Sequence, residues 1–188
     1  MSDRPPGLLV LVVGPSGVGK DTLITGARQA LDADKRFSFV RRLVTRPTDL
    51  DLEDHLSIDT DEFDEALANG RLALTWEAHG LRYALPISVD TDLALGRIVV
   101  ANVSRHVVGE AIAKYPTCRV VMVTAEISLR AERLARRGRE DRDQIASRLA
   151  REGAALPADV SPLVIDNSNS VGIGVTAFVM ALRALAEE

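Results

Sequence analysis

A single cysteine, Cys118, has no second one to pair with, which excludes an internal disulfide. It reads as a buried core side chain. No apolar run approaches the roughly 18 residues that a membrane span requires. The first residues, MSDRPPG, are too polar and too few for a signal peptide. A formal net charge of -4 gives the molecule as a whole no electrostatic basis for binding nucleic acid. Internal repeats, low-complexity tracts and long linkers are all missing. What remains is the expectation of a soluble, cytoplasmic chain.

Two further absences are local. From Asp49 to Glu65 nine acids stand without a single Lys or Arg. From Leu129 to Arg151 eight arginines stand without a lysine. A solvated helix face usually mixes both cations. A run of arginine alone favours planar, bidentate contact with phosphate.

The 188 residues suit one domain, and 46% of them are hydrophobic, enough for a developed core. Leu8 to Val13 (LLVLVV) is a continuous, β-branched apolar run, the pattern of a strand buried on both faces. Phe37–Val44, Ile98–Val103, Arg119–Val123 and Leu163–Ile165 read as further strands. Helices are expected over Thr22–Asp32, Asp59–Asn69, Ile87–Leu95, Arg105–Tyr115, Glu126–Arg137, Asp143–Gly153 and Val171–Leu185. Thr45–Ser57 is polar and acidic, a loop or flap. Arg71–Tyr83 suggests short strands of a small sheet. Strands alternating with helices predict an α/β fold with a parallel core sheet covered on both faces, three layers in all.

The strongest motif follows the first strand. Gly14, Pro15, Ser16, Gly17, Val18, Gly19, Lys20, Asp21 and Thr22 read GPSGVGKDT, a match to G-x-x-x-x-G-K between a strand and a helix. Glycines at these places let successive N–H groups turn inward onto phosphate oxygens. The helix start adds partial positive charge, and Lys20 is expected to reach the β- and γ-phosphates of ATP. One position departs from the pattern: Asp21 stands where a Ser or Thr usually holds Mg²⁺. Its carboxylate is also a hard oxygen ligand, so either Asp21 or Thr22 is the expected metal contact.

From this loop to the last helix the chain resembles the guanylate kinase family of P-loop kinases. Thr45-Arg46-Pro47 matches the start of that family's T-R-x-P stretch, with Thr48 in place of its proline. His79-Gly80 and Tyr83 match the H-G-x-x-Y part of the family's W-x-x-x-H-G-x-x-Y stretch, with Trp76 one residue closer to the histidine. Arg133-Leu134, Arg137-Gly138, Glu140 and Arg148-Leu149 match its lid in type and spacing. The resemblance implies one kinase domain over 1–188. Its core would span about 7–44, 84–128 and 154–188, its acceptor-binding flap about 45–83 and its helical lid about 129–153. It also implies that Arg133, Arg137 and Arg148 close on the transferring phosphoryl group, and that Asn167 contacts adenine. Arg130, Arg139, Arg142 and Arg151 read as surface charge.

Departures from that family concern the acceptor. The positions that would read guanine hold Arg42, Thr75 and Asn102, and a phosphate-binding tyrosine is replaced by His55. The carboxylates that pair with a purine are gone, and selectivity for one cannot survive their loss. The chain instead resembles the ribose 1,5-bisphosphate phosphokinases of phosphonate breakdown. The likeness rests on the GKD loop, Glu53-Asp54-His55, the segment Trp76 to Tyr83 and Asn102-Val103-Ser104-Arg105. This implies a small sugar phosphate as acceptor, with ATP and Mg²⁺ as the donor pair. Arg42, Arg46, Arg82 and Arg105 are then candidate phosphate ligands. His55, Tyr83, Asn102 and Ser104 are candidate hydroxyl or phosphate partners, and Glu53 could orient an arginine or accept from the ribose. Trp76 reads as packing; His79 and His106 read as structural or surface. The rival readings are a guanylate or other nucleoside-monophosphate kinase, and a non-catalytic module that binds phosphopeptides.

Overall fold

A computed structural model describes residues 6–46, 55–78, 80–136, 149 and 155–188. Five strands form one parallel sheet: β1 (Leu8–Val13), β2 (Phe37–Val40), β7 (Ile98–Asn102), β8 (Cys118–Thr124) and β9 (Leu163–Asp166). Their spatial order is β2-β7-β1-β8-β9. β1 is central, and its residues alternate between two cores. Val10 and Val12 join one, Leu9, Leu11 and Val13 the other. That alternation explains the unbroken apolar run, because both faces of the strand are covered.

Helices α1 (Lys20–Ala30) and α6 (Val171–Leu185) cover the first face through Leu23, Ala27, Phe178 and Leu182. Helices α3 (Ser88–Ala94) and α4 (Val108–Lys114) cover the second through Val89, Val108 and Ala111. The expected three-layer α/β/α arrangement is therefore present. The crevice beyond the carboxyl ends of the strands, where the chain direction of the crossovers reverses beside β1, is the standard ligand position of such sheets. Cys118 packs against the second core, where burial pushes its thiol up to about 11.

The segment expected as one strand, Phe37–Val44, is two. β2 ends at Val40, and β3 (Arg42–Val44) enters a second sheet with β4 (His55–Ser57), β5 (Leu72–Ala78) and β6 (Leu81–Pro86), in the order β4-β3-β6-β5. The stretch read as a loop up to Ser57 ends in β4, paired in parallel with β3 so that Arg42 lies opposite His55. Three residues alternate too briefly for periodicity to reveal such a strand. Helix α2 (Thr60–Ala68) is capped by Asp59. The Asp59 carboxylate accepts from the Glu62 N–H, and the Glu62 carboxylate accepts from the Asp59 N–H. The helix expected from Arg105 begins as a 3-10 turn over Arg105–Val107, capped by Ser104, before α4. Helix α5 (Ile127–Arg136) follows β8. The helix expected over Asp143–Gly153 lies, all but Leu149, outside the described residues.

Candidate active site

The loop between β1 and α1 holds its shape through its own backbone. Gly17 and Gly19 take φ of 81° and 90°, a region that side-chain-bearing residues rarely adopt. Space forbids side chains there as well. A Cβ on Gly17 would lie 2.9 Å from the Arg130 carbonyl oxygen, and one on Gly19 would lie 2.6 Å from Asn167 Nδ2.

The outer carbonyls of the loop are held by donors from elsewhere in the fold. Lys20 Nζ donates to the Gly14 and Pro15 carbonyls at 2.8 and 3.4 Å. Arg130 Nε donates to Ser16 O at 3.1 Å. Asn167 Nδ2 donates to Val18 O at 2.7 Å, and Arg133 Nη1 to the same oxygen at 3.3 Å. Arg133 Nη2 also donates to the Asn167 carbonyl at 2.9 Å. With its carbonyls bound in this way, the loop can spend its N–H groups on an anion. Pro15 and Ser16 are half-buried, and Val18 is buried beneath the loop.

One of these contacts revises the sequence reading and another adds to it. Arg130 is not surface charge: it is 8% exposed and bound to the loop. Nothing in the arginine run marks it, because its role depends on which side of α5 meets the loop. Asn167 is 4% exposed and wedged under the loop, with its amide nitrogen bound to Val18. Its contribution in this structure is to brace the phosphate cradle.

At the start of α1, Asp21 is half-buried and Thr22 exposed. Asp21 Oδ1 accepts from Asn102 Nδ2 at 2.6 Å, which ties the loop to the end of β7. Asn102 is 8% exposed, and its own Oδ1 is buried without a partner among the described residues. An acceptor-rich corner with a carboxylate, a hydroxyl and an unsatisfied amide oxygen fits a hard divalent cation and its water shell.

The second sheet brings several acceptor candidates together. Arg42 and His55 are neighbours across β3 and β4. The Arg42 guanidinium lies 6.0 Å from the centre of the Tyr83 ring. Tyr83 in turn stacks on Trp76 at 5.5 Å with planes 9° apart, so Trp76 serves to fix Tyr83 as well as to pack. His55 is 8% exposed, and its Nδ1 is buried without a partner among the described residues. Arg46 is half-buried in the bend after β3, its N–H donating to Val44 O. Ser104 and Arg105 sit on the 3-10 turn just beyond Asn102, with Ser104 Oγ accepting from the His106 N–H at 3.4 Å.

Arg82, expected as a phosphate ligand, is committed elsewhere. It pairs with Asp64 at 2.7 Å and lies 4.1 Å over the Phe63 ring. Arg137, Arg148, Glu53 and His79 lie outside the described residues.

The parallel sheet and its glycine loop define a P-loop kinase. In fold the chain is similar to a solved guanylate kinase from Anaplasma phagocytophilum. That match has a TM-score of 0.68 at 14% identity and covers 96% of this chain and 87% of that one. No family model matches the chain. Curated relatives carry the comparison further. The chain is 47% identical over 185 residues to a ribose 1,5-bisphosphate phosphokinase PhnN from Brucella abortus, covering 98% of this chain and 96% of that protein. It is also 47% identical to part of a bifunctional ribose 1,5-bisphosphokinase-thymidine phosphorylase from Cupriavidus necator. There the match covers 96% of this chain and 30% of the other. The chain belongs to the ribose 1,5-bisphosphate phosphokinase family.

Proposed function

We infer that this protein transfers the γ-phosphoryl group of ATP to the 1-phosphate of ribose 1,5-bisphosphate. A phosphate oxygen of the acceptor attacks the γ-phosphorus, and the bond from that phosphorus to the β–γ bridging oxygen breaks. The products are 5-phosphoribosyl 1-diphosphate and ADP, within phosphonate catabolism in the cytoplasm. The observation that carries this reading is the near-full-length identity to proteins named for that activity. The acceptor side agrees with it, since Arg42, His55, Tyr83 and Asn102 supply cations and neutral partners and no carboxylate aimed at a base.

In this reading Lys20 moves from the loop carbonyls onto the β- and γ-phosphates. The loop N–H groups hold the phosphate chain. Asp21, with Thr22 as the alternative hydroxyl, holds Mg²⁺, which offsets charge on the phosphates. Arg133, Arg137 and Arg148 meet the transferring group as the lid closes. Such cations act late and in a site emptied of water, where one arginine is worth about 10³ to 10⁵ in rate. Arg42, Arg46 and Arg105 bind the acceptor phosphates. His55, Tyr83, Asn102, Ser104 and Glu53 surround its hydroxyls. No helix of the described residues is long and apolar enough to cross a membrane.

The test is direct. The protein is incubated with ATP and Mg²⁺ and offered either ribose 1,5-bisphosphate or GMP. ADP release is followed enzymatically and the product by phosphorus NMR. Ribose 1,5-bisphosphate should be strongly preferred, with a new diphosphate signal. Turnover of GMP at comparable kcat/KM would overturn the reading.

A further inference from the structure

One side chain from each strand of the second sheet joins a single row. Trp76 of β5 lies opposite Tyr83 of β6, and Arg42 of β3 lies opposite His55 of β4. Tyr83 is also opposite Val44, two residues along β3 from Arg42, so ring and guanidinium share one face of the sheet. The two pairs meet in the middle. Trp76 stacks on Tyr83 at 5.5 Å, and the Arg42 guanidinium lies 6.0 Å from the centre of the Tyr83 ring. The row runs indole, phenol, guanidinium, imidazole, in the spatial order of the strands.

A guanidinium set against an aromatic ring keeps the edge of its planar fork for a doubly hydrogen-bonded anion. The main chain at His55 is fixed by β3 and by Arg41, whose Nη2 donates to the His55 carbonyl at 2.8 Å. The imidazole is 8% exposed, and its Nδ1 is buried without a partner among the described residues. A buried polar atom of this kind persists where a ligand satisfies it. With its proton on Nδ1, the ring donates to a phosphate oxygen. No member of the row is a carboxylate.

The row also stands to one side of the transfer point. β3 follows β2, the edge strand of the core sheet, and β7 lies between β2 and β1. Arg42 comes two residues after Val40, which is opposite Ala101 of β7. It is therefore offset from the glycine loop by two strand spacings, about 10 Å. A phosphate held on the row is set apart from the γ-phosphate, and the far end of the same acceptor reaches back toward the loop.

We propose that Arg42 and His55, aligned by the Trp76–Tyr83 stack, bind the acceptor phosphate that does not react, and so select a sugar with a phosphate at each end over one with a single phosphate. For the acceptor inferred above, on which this assignment rests, that group is the 5-phosphate.

The experiment compares ribose 1,5-bisphosphate, ribose 1-phosphate and ribose 5-phosphate on wild type, Arg42→Ala, Arg42→Lys and His55→Ala. The bisphosphate is titrated by calorimetry, and each monophosphate by its displacement of the bisphosphate. Thermal unfolding checks that each variant is folded. Arg42→Ala should weaken the bisphosphate and ribose 5-phosphate about thirtyfold and leave ribose 1-phosphate within about twofold. Arg42→Lys keeps the charge without the stacked fork and should recover only part of the loss. His55→Ala should act in the same direction at about fivefold, and it carries the comparison if the Arg42 variants do not fold. Equal weakening of both monophosphates would overturn the proposal, because a merely structural role moves both. So would unchanged binding of ribose 5-phosphate, or a wild type that binds the bisphosphate no better than ribose 1-phosphate. A wild type that binds none of the three sugars but phosphorylates GMP would instead remove the substrate reading itself.

Discussion

The donor side and the acceptor side of this protein are made of different material. On the donor side the ligand-facing groups are main chain. Side chains act behind them: Lys20, Arg130, Arg133 and Asn167 all bind carbonyls of the loop. On the acceptor side the ligand-facing groups are side chains, drawn from β3, β4, β6 and β7. Among the described residues His55 keeps a buried ring nitrogen without a partner on this side, while a buried amide oxygen is unmatched at Asn102, which touches both sides, and at Asn167 on the donor side. The first arrangement holds its shape before any ligand arrives. The second is completed by what binds. Substitutions should therefore separate the two sides, with donor-side changes acting on ATP and acceptor-side changes on the sugar phosphate.

The largest effect belongs to Lys20. Lys20→Ala removes the cation expected on the β- and γ-phosphates, and kcat should fall by about 10³ or more. The half-buried side chain leaves little cavity, so the melting temperature should hold within a few degrees. A rate near wild type would break the donor-side account.

Gly19→Ala comes next. It combines a φ of 90° with a Cβ only 2.6 Å from Asn167 Nδ2. Asn167 is fixed by its bond to Val18, so the loop must move instead. ATP affinity should drop about ten- to a hundredfold, corresponding to about 1.4–2.8 kcal/mol. Calorimetry with ribose 1,5-bisphosphate alone should show unchanged affinity. Equal losses for both ligands would collapse the distinction between the two sides.

The same difference in material explains what the sequence made legible. A main-chain site needs glycines at fixed offsets between a strand and a helix, and those are contiguous, so GPSGVGKDT declared itself. The core strands were also plain, because burial on both faces writes an unbroken apolar run such as Leu8–Val13. A side-chain site assembled from four strands has no contiguous signature. Arg42 and His55 became neighbours only once β4 formed, a three-residue strand inside a stretch read as loop. Arg82 shows the opposite failure, a cation in the right segment that Asp64 and Phe63 retain. Tertiary pairing decided each of these, and neither periodicity nor spacing encodes it.

His55 tests the acceptor side at smaller scale. One buried ring nitrogen awaits a partner, and a hydrogen bond of this kind contributes about 1 kcal/mol net. His55→Ala should raise KM for ribose 1,5-bisphosphate about fivefold and leave KM for ATP unchanged. A rise in the ATP KM alone would place His55 on the wrong side of the comparison.

Arg130 gives the smallest expected effect and the sharpest contrast with the sequence. Read from the sequence it is one of eight arginines in a run, and its removal should cost nothing measurable. Read from the structure it is buried and holds the Ser16 carbonyl. Arg130→Ala would leave that carbonyl without its donor, a loss of about 1–2 kcal/mol, or a drop of roughly 3–6 °C in melting temperature for a chain of this size. Because the loop's N–H groups depend on how its carbonyls are held, KM for ATP should rise about threefold. KM for the sugar phosphate should stay put. Arg130→Lys retains a charge but not the directional Nε–H, so it should fall between alanine and wild type. If both variants melt and turn over as wild type does, the loop holds itself without Arg130. The donor side would then depend on Lys20, Arg133 and Asn167 alone.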